Sequence, residues 1–95
     1  MNNEQFHLVN RALADPRRLE ILERIANEKE VACAALIGES GVSQPTVSHH
    51  LKELCEARLI RPRREAKSVF YKLNRETWRQ YLTEMRRRIP LNPNR

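Results

Sequence analysis

Ser43-Gln-Pro-Thr-Val-Ser-His-His-Leu51 is the stretch of sequence that decides the fold. Ser43 is a candidate N-cap, since its hydroxyl can accept hydrogen bonds from the unpaired N–H groups of a first helical turn, and Pro45 is tolerated in that turn because it needs no N–H partner. On a helical wheel of about 100° per residue, the apolar side chains of this region fall on one side: Val47, Leu51 and Leu54. The stretch therefore predicts a helix that ends near Ala57, and Gly41 supplies a tight turn before it.

The opposite face of this helix is polar and basic. It carries Ser43, Gln44, Pro45, Thr46, Ser48, His49 and Lys52. Small polar side chains let a helix approach the major groove of DNA closely. There Gln favours adenine edges, whereas Ser and Thr can hydrogen-bond to donors or acceptors on any base edge. For an isolated helix, a simpler interpretation is that Ser and Thr are caps and that His49 and His50 are solvated or half-buried. The elements that follow favour DNA contact instead.

A basic hairpin follows the helix. Leu59-Ile60 and Val69–Leu73 have the β-branched and aromatic composition of strands, and Pro62 suits an edge strand. A polar stretch joins them, and its cations are expected near the hairpin tip: Arg61, Arg63, Arg64 and Lys67. A lone basic hairpin is usually a solvated loop, but beside a helix in the major groove it lies opposite phosphates or a minor groove. The two elements together predict contact with double-stranded DNA.

Three helices precede this unit, and one follows it. The second starts at Pro16, after Asp15 as a candidate cap, because Asp can accept from the first turn and Pro fits the first helical position. The first predicted helix ends near Leu13. The others run from Pro16 to about Asn27, from about Glu30 to Glu39, and from about Arg75 to Ile89. This order predicts a mainly α fold with a small β-hairpin, a winged helix-turn-helix. Residues 1–95 form one domain, with a frayed tail at 90–95.

The composition favours a nucleic-acid partner and disfavours several other classes. The chain has 18 Lys and Arg against 12 Asp and Glu, a formal net charge of +6, and a pI near 10.0, which favours a polyanionic partner. No apolar run approaches the length of a membrane span, and no signal peptide follows the polar start, so a soluble, cytoplasmic protein is expected. No carboxylate cluster, nucleophile–base pair or phosphate loop is visible, so neither an enzyme nor a cofactor is predicted.

The sequence resembles the ArsR/SmtB family of bacterial repressors in four segments. They are Ala12-Leu-Ala-Asp-Pro-Arg-Arg-Leu-Glu-Ile-Leu22, the stretch 43–51, Leu59-Ile60 and Arg63-Arg64-Glu65. The resemblance implies a winged-helix homodimer, built through the first and last helices, that represses transcription at a palindromic operator. It also implies a dimer interface lined by Phe6, Val9, Trp78, Tyr81, Leu82 and Met85. The alternative is that these side chains form the core of a single chain.

The cysteines depart from the pattern of metal-sensing relatives. Such relatives often carry Glu-Leu-Cys-Val-Cys-Asp-Leu on the third helix, whereas this chain has Glu30-Val-Ala-Cys-Ala-Ala-Leu36. Both family cysteine positions are Ala, and the last helix lacks the His of the other common site, so no metal site is predicted and Cys33 and Cys55 are expected to be core residues. Two alternatives stay open. One is a metal- or thiol-responsive repressor with unusual ligands among Cys33, Cys55 and His7, and the other is a protein-interaction module that no longer binds DNA.

Overall fold

A computed structural model describes residues 1–93, which form five helices and a three-stranded antiparallel sheet. In chain order the elements are α1 (Asn3–Leu13), α2 (Pro16–Ala26), β1 (Val31–Ala32), α3 (Cys33–Ser40), α4 (Gln44–Glu56), β2 (Ile60–Glu65), β3 (Ser68–Leu73) and α5 (Arg75–Arg88). Helices α3 and α4 form the helix-turn-helix, and the β2–β3 hairpin is the wing. The predicted winged helix-turn-helix is confirmed.

Side-chain caps fix where most of the helices begin. The side chains of Asn2, Asp15, Ser43 and Asn74 accept backbone hydrogen bonds at the starts of α1, α2, α4 and α5. Gly41 ends α3 with a φ of 71°, a left-handed conformation that glycine adopts without steric cost. The predicted caps at Asp15 and Ser43 and the turn at Gly41 are thus confirmed, and the turn at Gly41 and the cap at Ser43 lie between α3 and α4.

The third helix begins later than predicted. Val31 and Ala32 form strand β1, which pairs with Tyr71 and Phe70 of β3, so that β3 is the central strand of the sheet. Val31 is only 2% exposed, and a β-branched side chain fits a buried pleated surface better than a helix start. Because α3 starts at Cys33, directly after β1, the sheet is tied to the helix-turn-helix.

Most of the basic stretch of the wing lies in strand β2, although its cations were expected near the hairpin tip. Arg61, Arg63 and Arg64 all lie in β2 and face Lys72, Phe70 and Val69 of β3 in register. The turn contains only Ala66 and Lys67, and Ala66 has a positive φ of 54°. Strand β2 extends further toward the tip than the local composition indicates, because each arginine has a partner on β3.

The interface between α1 and α5 is largely internal to the chain. Of the six residues assigned to a dimer interface, Phe6, Val9 and Tyr81 are buried within this single chain, at 5%, 0% and 6% exposure. The Phe6 ring stacks on Tyr81, with centroids 5.4 Å apart. Trp78 and Met85 are half-buried, and Leu82 is 46% exposed. Phe6, Val9 and Tyr81 thus pack within the chain, Leu82 is the most exposed of the six side chains, and the dimer interface stays a prediction.

The chain beyond α5 is exposed where it is described. Ile89 and Leu91 keep most of their surface in contact with solvent. Residues 94 and 95, which belong to the predicted frayed tail, lie outside the described residues. None of the helices between residues 1 and 93 is long and apolar enough to cross a membrane.

Candidate nucleic-acid interface

The side chains predicted to contact DNA all lie at the surface. They are Ser43, Gln44, Pro45, Thr46, Ser48, His49 and Lys52 at the start and outer face of α4, and Arg61, Arg63, Arg64 and Lys67 in the wing, and every one of them is exposed. On the other side of α4, Val47, Leu51 and Leu54 are buried, as the periodicity predicted. The helix is therefore anchored along one face and presents a polar face to solvent.

The N-terminal turn of α4 combines capping with exposed polar groups. The Ser43 hydroxyl accepts a hydrogen bond from the Thr46 N–H at 3.4 Å and lies 2.9 Å from the Thr46 hydroxyl. The capping interpretation is thus correct for this pair. Among residues 1–93, the side chains of Gln44 and Ser48 form no hydrogen bond with the protein. Their polar atoms are available to base edges, and the positive end of the helix dipole lies beside them.

His49 and Lys52 each lie near a carboxylate one turn further along α4. His49 lies 3.9 Å from Glu53 and Lys52 lies 3.9 Å from Glu56, and both basic side chains are well exposed. Exposed pairs of this kind contribute little to stability. A phosphate can therefore replace Glu56 as the partner of the Lys52 ammonium group.

His50 is a structural residue that the sequence interpretation missed. It is only 6% exposed, and its Nδ1 accepts a hydrogen bond from Arg18 Nε at 3.4 Å. Burial is the largest cause that lowers its pKa, while the nearby carboxylate of Asp15 opposes this shift. Position 50 follows Val47 by three residues and precedes Leu54 by four, so the helical period itself marks it as inward-facing.

Three wing cations are free of ion pairs. Arg61, Arg64 and Lys67 form no salt bridge in the part of the chain that the structure describes. Arg61 faces Lys72 across the sheet, a pairing of like charges that is unfavourable without a counterion. The hairpin thus carries positive charge that the chain itself does not neutralise.

Arg63 differs from these neighbours. Its Nε and Nη2 donate to the two oxygens of the Glu30 carboxylate at 2.8 and 2.7 Å, and its Nη1 donates to Glu65 at 2.7 Å. These hydrogen bonds hold the pKa of Glu30 below its usual range. The sequence grouped Arg63 with the free cations, yet in the folded chain its guanidinium is engaged by two carboxylates.

Comparison with known proteins agrees with this geometry. Residues 15–61, which span α2, α3 and α4, match the family described as "Bacterial regulatory protein, arsR family". Over 76 residues the chain is 36% identical to the arsenical resistance operon repressor of Staphylococcus xylosus, covering 80% of this chain and 72% of that protein. The chain belongs to the arsR family. It is therefore a transcriptional regulator with a winged helix-turn-helix domain and not an enzyme.

Solved structures place the arsR-family regulator among winged helix-turn-helix domains. An ArsR-like regulator from Rhodococcus sp. RHA1 superposes with a TM-score of 0.80 at 20% identity, covering 88% of this chain and 78% of that one, which establishes the fold alone. A winged helix-turn-helix DNA-binding domain from Mycobacterium bovis, described as homodimeric, has a TM-score of 0.73 at 30% identity. The match covers 94% of the regulator and 83% of that domain.

The cysteines of the regulator are half-buried thiols. Cys33 begins α3 and Cys55 lies in the last turn of α4, and both pack against the hydrophobic core. Burial raises the pKa of the Cys55 thiol. His7 is exposed on α1, where its ring contacts the edge of the Phe6 ring. Within residues 1–93, no three His, Cys, Asp or Glu side chains are grouped closely enough to hold a metal ion.

Proposed function

We propose that this arsR-family regulator is a homodimeric repressor that binds a palindromic operator in double-stranded DNA. The observation that carries the proposal is the shared exposure of the polar face of α4 and of three wing cations that have no ion pair within residues 1–93. A helix of this composition fits the major groove, and a basic wing fits the adjacent backbone. The net charge of +6 attracts the protein to DNA of any sequence.

The proposed contacts divide into two kinds. Gln44, Thr46 and Ser48 near the start of α4 read base edges, since the first turns of a recognition helix reach deepest into the groove. Lys52 of α4 and Arg64 of the wing bind phosphates, which fix the register of the protein on the duplex without reading sequence. The remaining proposed contacts are Ser43, Pro45, His49, Arg61 and Lys67, while Arg63 is considered separately below.

The dimer is proposed from the surface of α5. Leu82 is exposed beside the half-buried side chains of Trp78 and Met85, which gives α5 an apolar surface that a second copy can cover. The similar domain from Mycobacterium bovis is described as homodimeric, which supports the same assembly here. A two-fold dimer presents two copies of α4, and its operator is therefore expected to be palindromic.

Selection from a randomised duplex library tests the proposal. The regulator is expected to enrich a palindromic site, to bind it as a particle of twice the monomer mass, and to lower expression of a reporter whose promoter contains that site. Enrichment of no sequence, together with absence of binding to any duplex at low salt, would contradict the proposal. Enrichment of a single half-site by a monomer would contradict the dimer.

We further propose that the regulator works without a metal site or a thiol switch. Ala32 and Ala34 stand at the cysteine positions of metal-sensing relatives, and the raised pKa of Cys55 disfavours the thiolate that metals and oxidants require. Operator affinity is expected to be the same with and without zinc, cadmium, arsenite or peroxide. A loss of affinity that the Cys33→Ser and Cys55→Ser variants abolish would favour the thiol-responsive alternative.

A further inference from the structure

Arg63 connects the wing to the segment that leads into the helix-turn-helix. Glu30 immediately precedes β1, and its carboxylate accepts both the Nε and Nη2 hydrogen bonds of Arg63. Glu65, on the same strand as Arg63, accepts a third hydrogen bond. We refer to Glu30, Arg63 and Glu65 as the wing clamp.

The wing clamp crosses all three strands of the sheet. Arg63 lies on β2 and pairs with Phe70 of the central strand, which pairs in turn with Ala32 of β1. The guanidinium that binds Glu30 also lies over the Phe70 ring, 4.7 Å from the ring centroid, which is a favourable cation–π distance. Two hydrogen bonds in a planar fork fix the orientation of both partners more tightly than a single contact does.

The charge balance of the wing clamp does not favour phosphate. The side chains of Glu30, Arg63 and Glu65 together carry a formal net charge of −1, and the positive charges of Lys72 and Lys29 also act on the Glu30 carboxylate. A phosphate that approached Arg63 would meet the carboxylates of Glu30 and Glu65, and three of the five guanidinium N–H donors are already occupied. Arg64 and Lys67, the neighbouring wing cations, carry no such carboxylate partners among the described residues.

The clamp adds a side-chain restraint on the wing to the one that the pairing of β3 with β1 already supplies. A two-stranded hairpin alone is marginally stable in water. The third strand of the sheet, β1, adds only two residues to it. Since β1 continues directly into α3, a contact between Arg63 and Glu30 fixes the wing relative to the helix-turn-helix. Such a contact lets Arg64 and the polar face of α4 reach one duplex without a prior rearrangement of the wing.

We infer that Arg63 is a positioning residue for DNA binding, held by Glu30, and not a phosphate ligand. This inference rests on the proposed function. It predicts that Glu30→Gln lowers the affinity for DNA. This is the opposite of the effect expected from charge alone, because removal of a negative charge beside the wing would by itself strengthen binding. If the clamp positions the wing, Glu30→Gln instead weakens binding about 3- to 10-fold, which corresponds to roughly 1 kcal/mol.

The salt dependence of binding distinguishes positioning from phosphate contact. A labelled duplex of mixed sequence is titrated with the wild type, Arg63→Gln, Glu30→Gln and Arg64→Gln at several salt concentrations. Loss of one phosphate contact lowers the slope of log affinity against log salt by about 0.9. Arg64→Gln is expected to show that loss, whereas Arg63→Gln is expected to weaken binding and keep the wild-type slope. The double variant Glu30→Arg, Arg63→Glu is expected to recover part of the lost affinity.

Hydrogen exchange of the free protein tests the clamp without DNA. Glu30→Gln and Arg63→Gln are each expected to speed amide exchange in β2 and β3 about 3-fold or more and to leave α1 and α5 unchanged, since local opening follows local contacts. Unchanged exchange in the wing, or tighter DNA binding by Glu30→Gln with a reduced slope for Arg63→Gln, would overturn the inference. A wild type that binds no duplex would instead refute the proposed function, and the exchange result would still decide whether the clamp restrains the wing.

Discussion

Arg18 Nε donates a hydrogen bond to His50 Nδ1 at 3.4 Å and so joins the start of α2 to the middle of α4. The Arg18 side chain is only 12% exposed, and its Nη1 also donates to the backbone carbonyl of Arg11 at the end of α1. Asp15, which caps α2, lies 4.0 Å from the same guanidinium. Helix α4 is therefore held to α2 through a buried histidine that accepts a hydrogen bond in its neutral form.

This contact predicts a loss of stability on mild acidification. Because burial lowers the pKa of His50, the unfolded chain binds a proton more readily than the native protein. The free energy of unfolding is then highest above the usual histidine pKa of about 6.5 and falls as the pH drops through and below that value. Urea unfolding between about pH 7.5 and pH 5.5 measures the effect. Carboxylates with a lowered pKa, such as Glu30, change the free energy of unfolding in a separate pH range, below the usual carboxylate pKa near 4.

The control is His50→Gln, which keeps a hydrogen-bond acceptor for Arg18 and does not titrate. This variant is expected to flatten the dependence of stability on pH above about pH 5. Equal pH profiles for the wild type and His50→Gln would show that His50 is not the group responsible.

The end of α4 predicts a stabilising substitution. Arg58 has a φ of 60°, its N–H bonds to the Cys55 carbonyl at 2.9 Å, and the Leu59 N–H bonds to the Leu54 carbonyl at 3.0 Å. This is the hydrogen-bond pattern of a helix end at which glycine is preferred. Arg58→Gly is expected to raise the free energy of unfolding by about 1 kcal/mol, since a side chain in the left-handed region costs roughly 1–2 kcal/mol.

Arg58→Ala is the matched control for this substitution. It removes the same guanidinium but keeps the Cβ atom that causes the strain, so its stability is expected to stay near that of the wild type. Chemical denaturation of the three proteins gives the comparison. If the glycine variant is no more stable than the alanine variant, relief of backbone strain is not the correct explanation.

The two proposed kinds of DNA contact predict different mutational effects. Lys52→Ala and Arg64→Ala are expected to weaken binding to all duplexes by a similar factor and to reduce the salt slope by about 1 each. Gln44→Ala is expected to cost about 1–3 kcal/mol on the selected operator and to relax base preference at one position of each half-site. Anisotropy titrations with the selected operator and with mixed-sequence DNA measure both. A uniform loss on all DNA from Gln44→Ala would mean that Gln44 does not read bases.

The exposed surface of α5 predicts a dimerisation defect. Leu82→Glu would place a charge within the proposed contact between two copies, where it would lose its hydration without gaining a partner. The dimer dissociation constant is expected to rise at least about tenfold, as measured by sedimentation equilibrium. Thr83→Glu, at the next exposed position of the helix, is the control and is expected to dimerise normally. Equal dissociation constants for the two variants would place the dimer interface elsewhere.

Features that depend on neighbours in the sequence could be predicted. The buried face of α4 follows from Val47, Leu51 and Leu54, because helical periodicity is a local property. The caps at Asp15 and Ser43 follow from side chains that bond within the same turn. The same reasoning places Gln44 and Lys52 on the exposed face, where the structure has them.

Features that depend on distant pairing could not be predicted. Strand β1 exists because Val31 pairs with Tyr71 of β3. A segment of two residues is too short for an alternating pattern that would predict a strand. The contact between Glu30 and Arg63 joins positions 33 apart in the sequence. Nothing in the sequence therefore indicated that Arg63, unlike its neighbours, has carboxylate partners. His50 was missed for a different reason: a polar side chain on the inner face is not counted in an apolar pattern, although its position obeys the helical period.

The affinity of the regulator for its selected operator, measured as a function of salt concentration, tests the central claim most directly. Binding through α4 and the wing of both copies predicts tight binding at low salt, a steep linear fall of log affinity with log salt, and a selected site that binds at least about 10³-fold more tightly than mixed-sequence DNA. Affinity that is independent of salt, or equal for the selected and the mixed duplex, would contradict the account of this protein as a sequence-specific DNA-binding regulator.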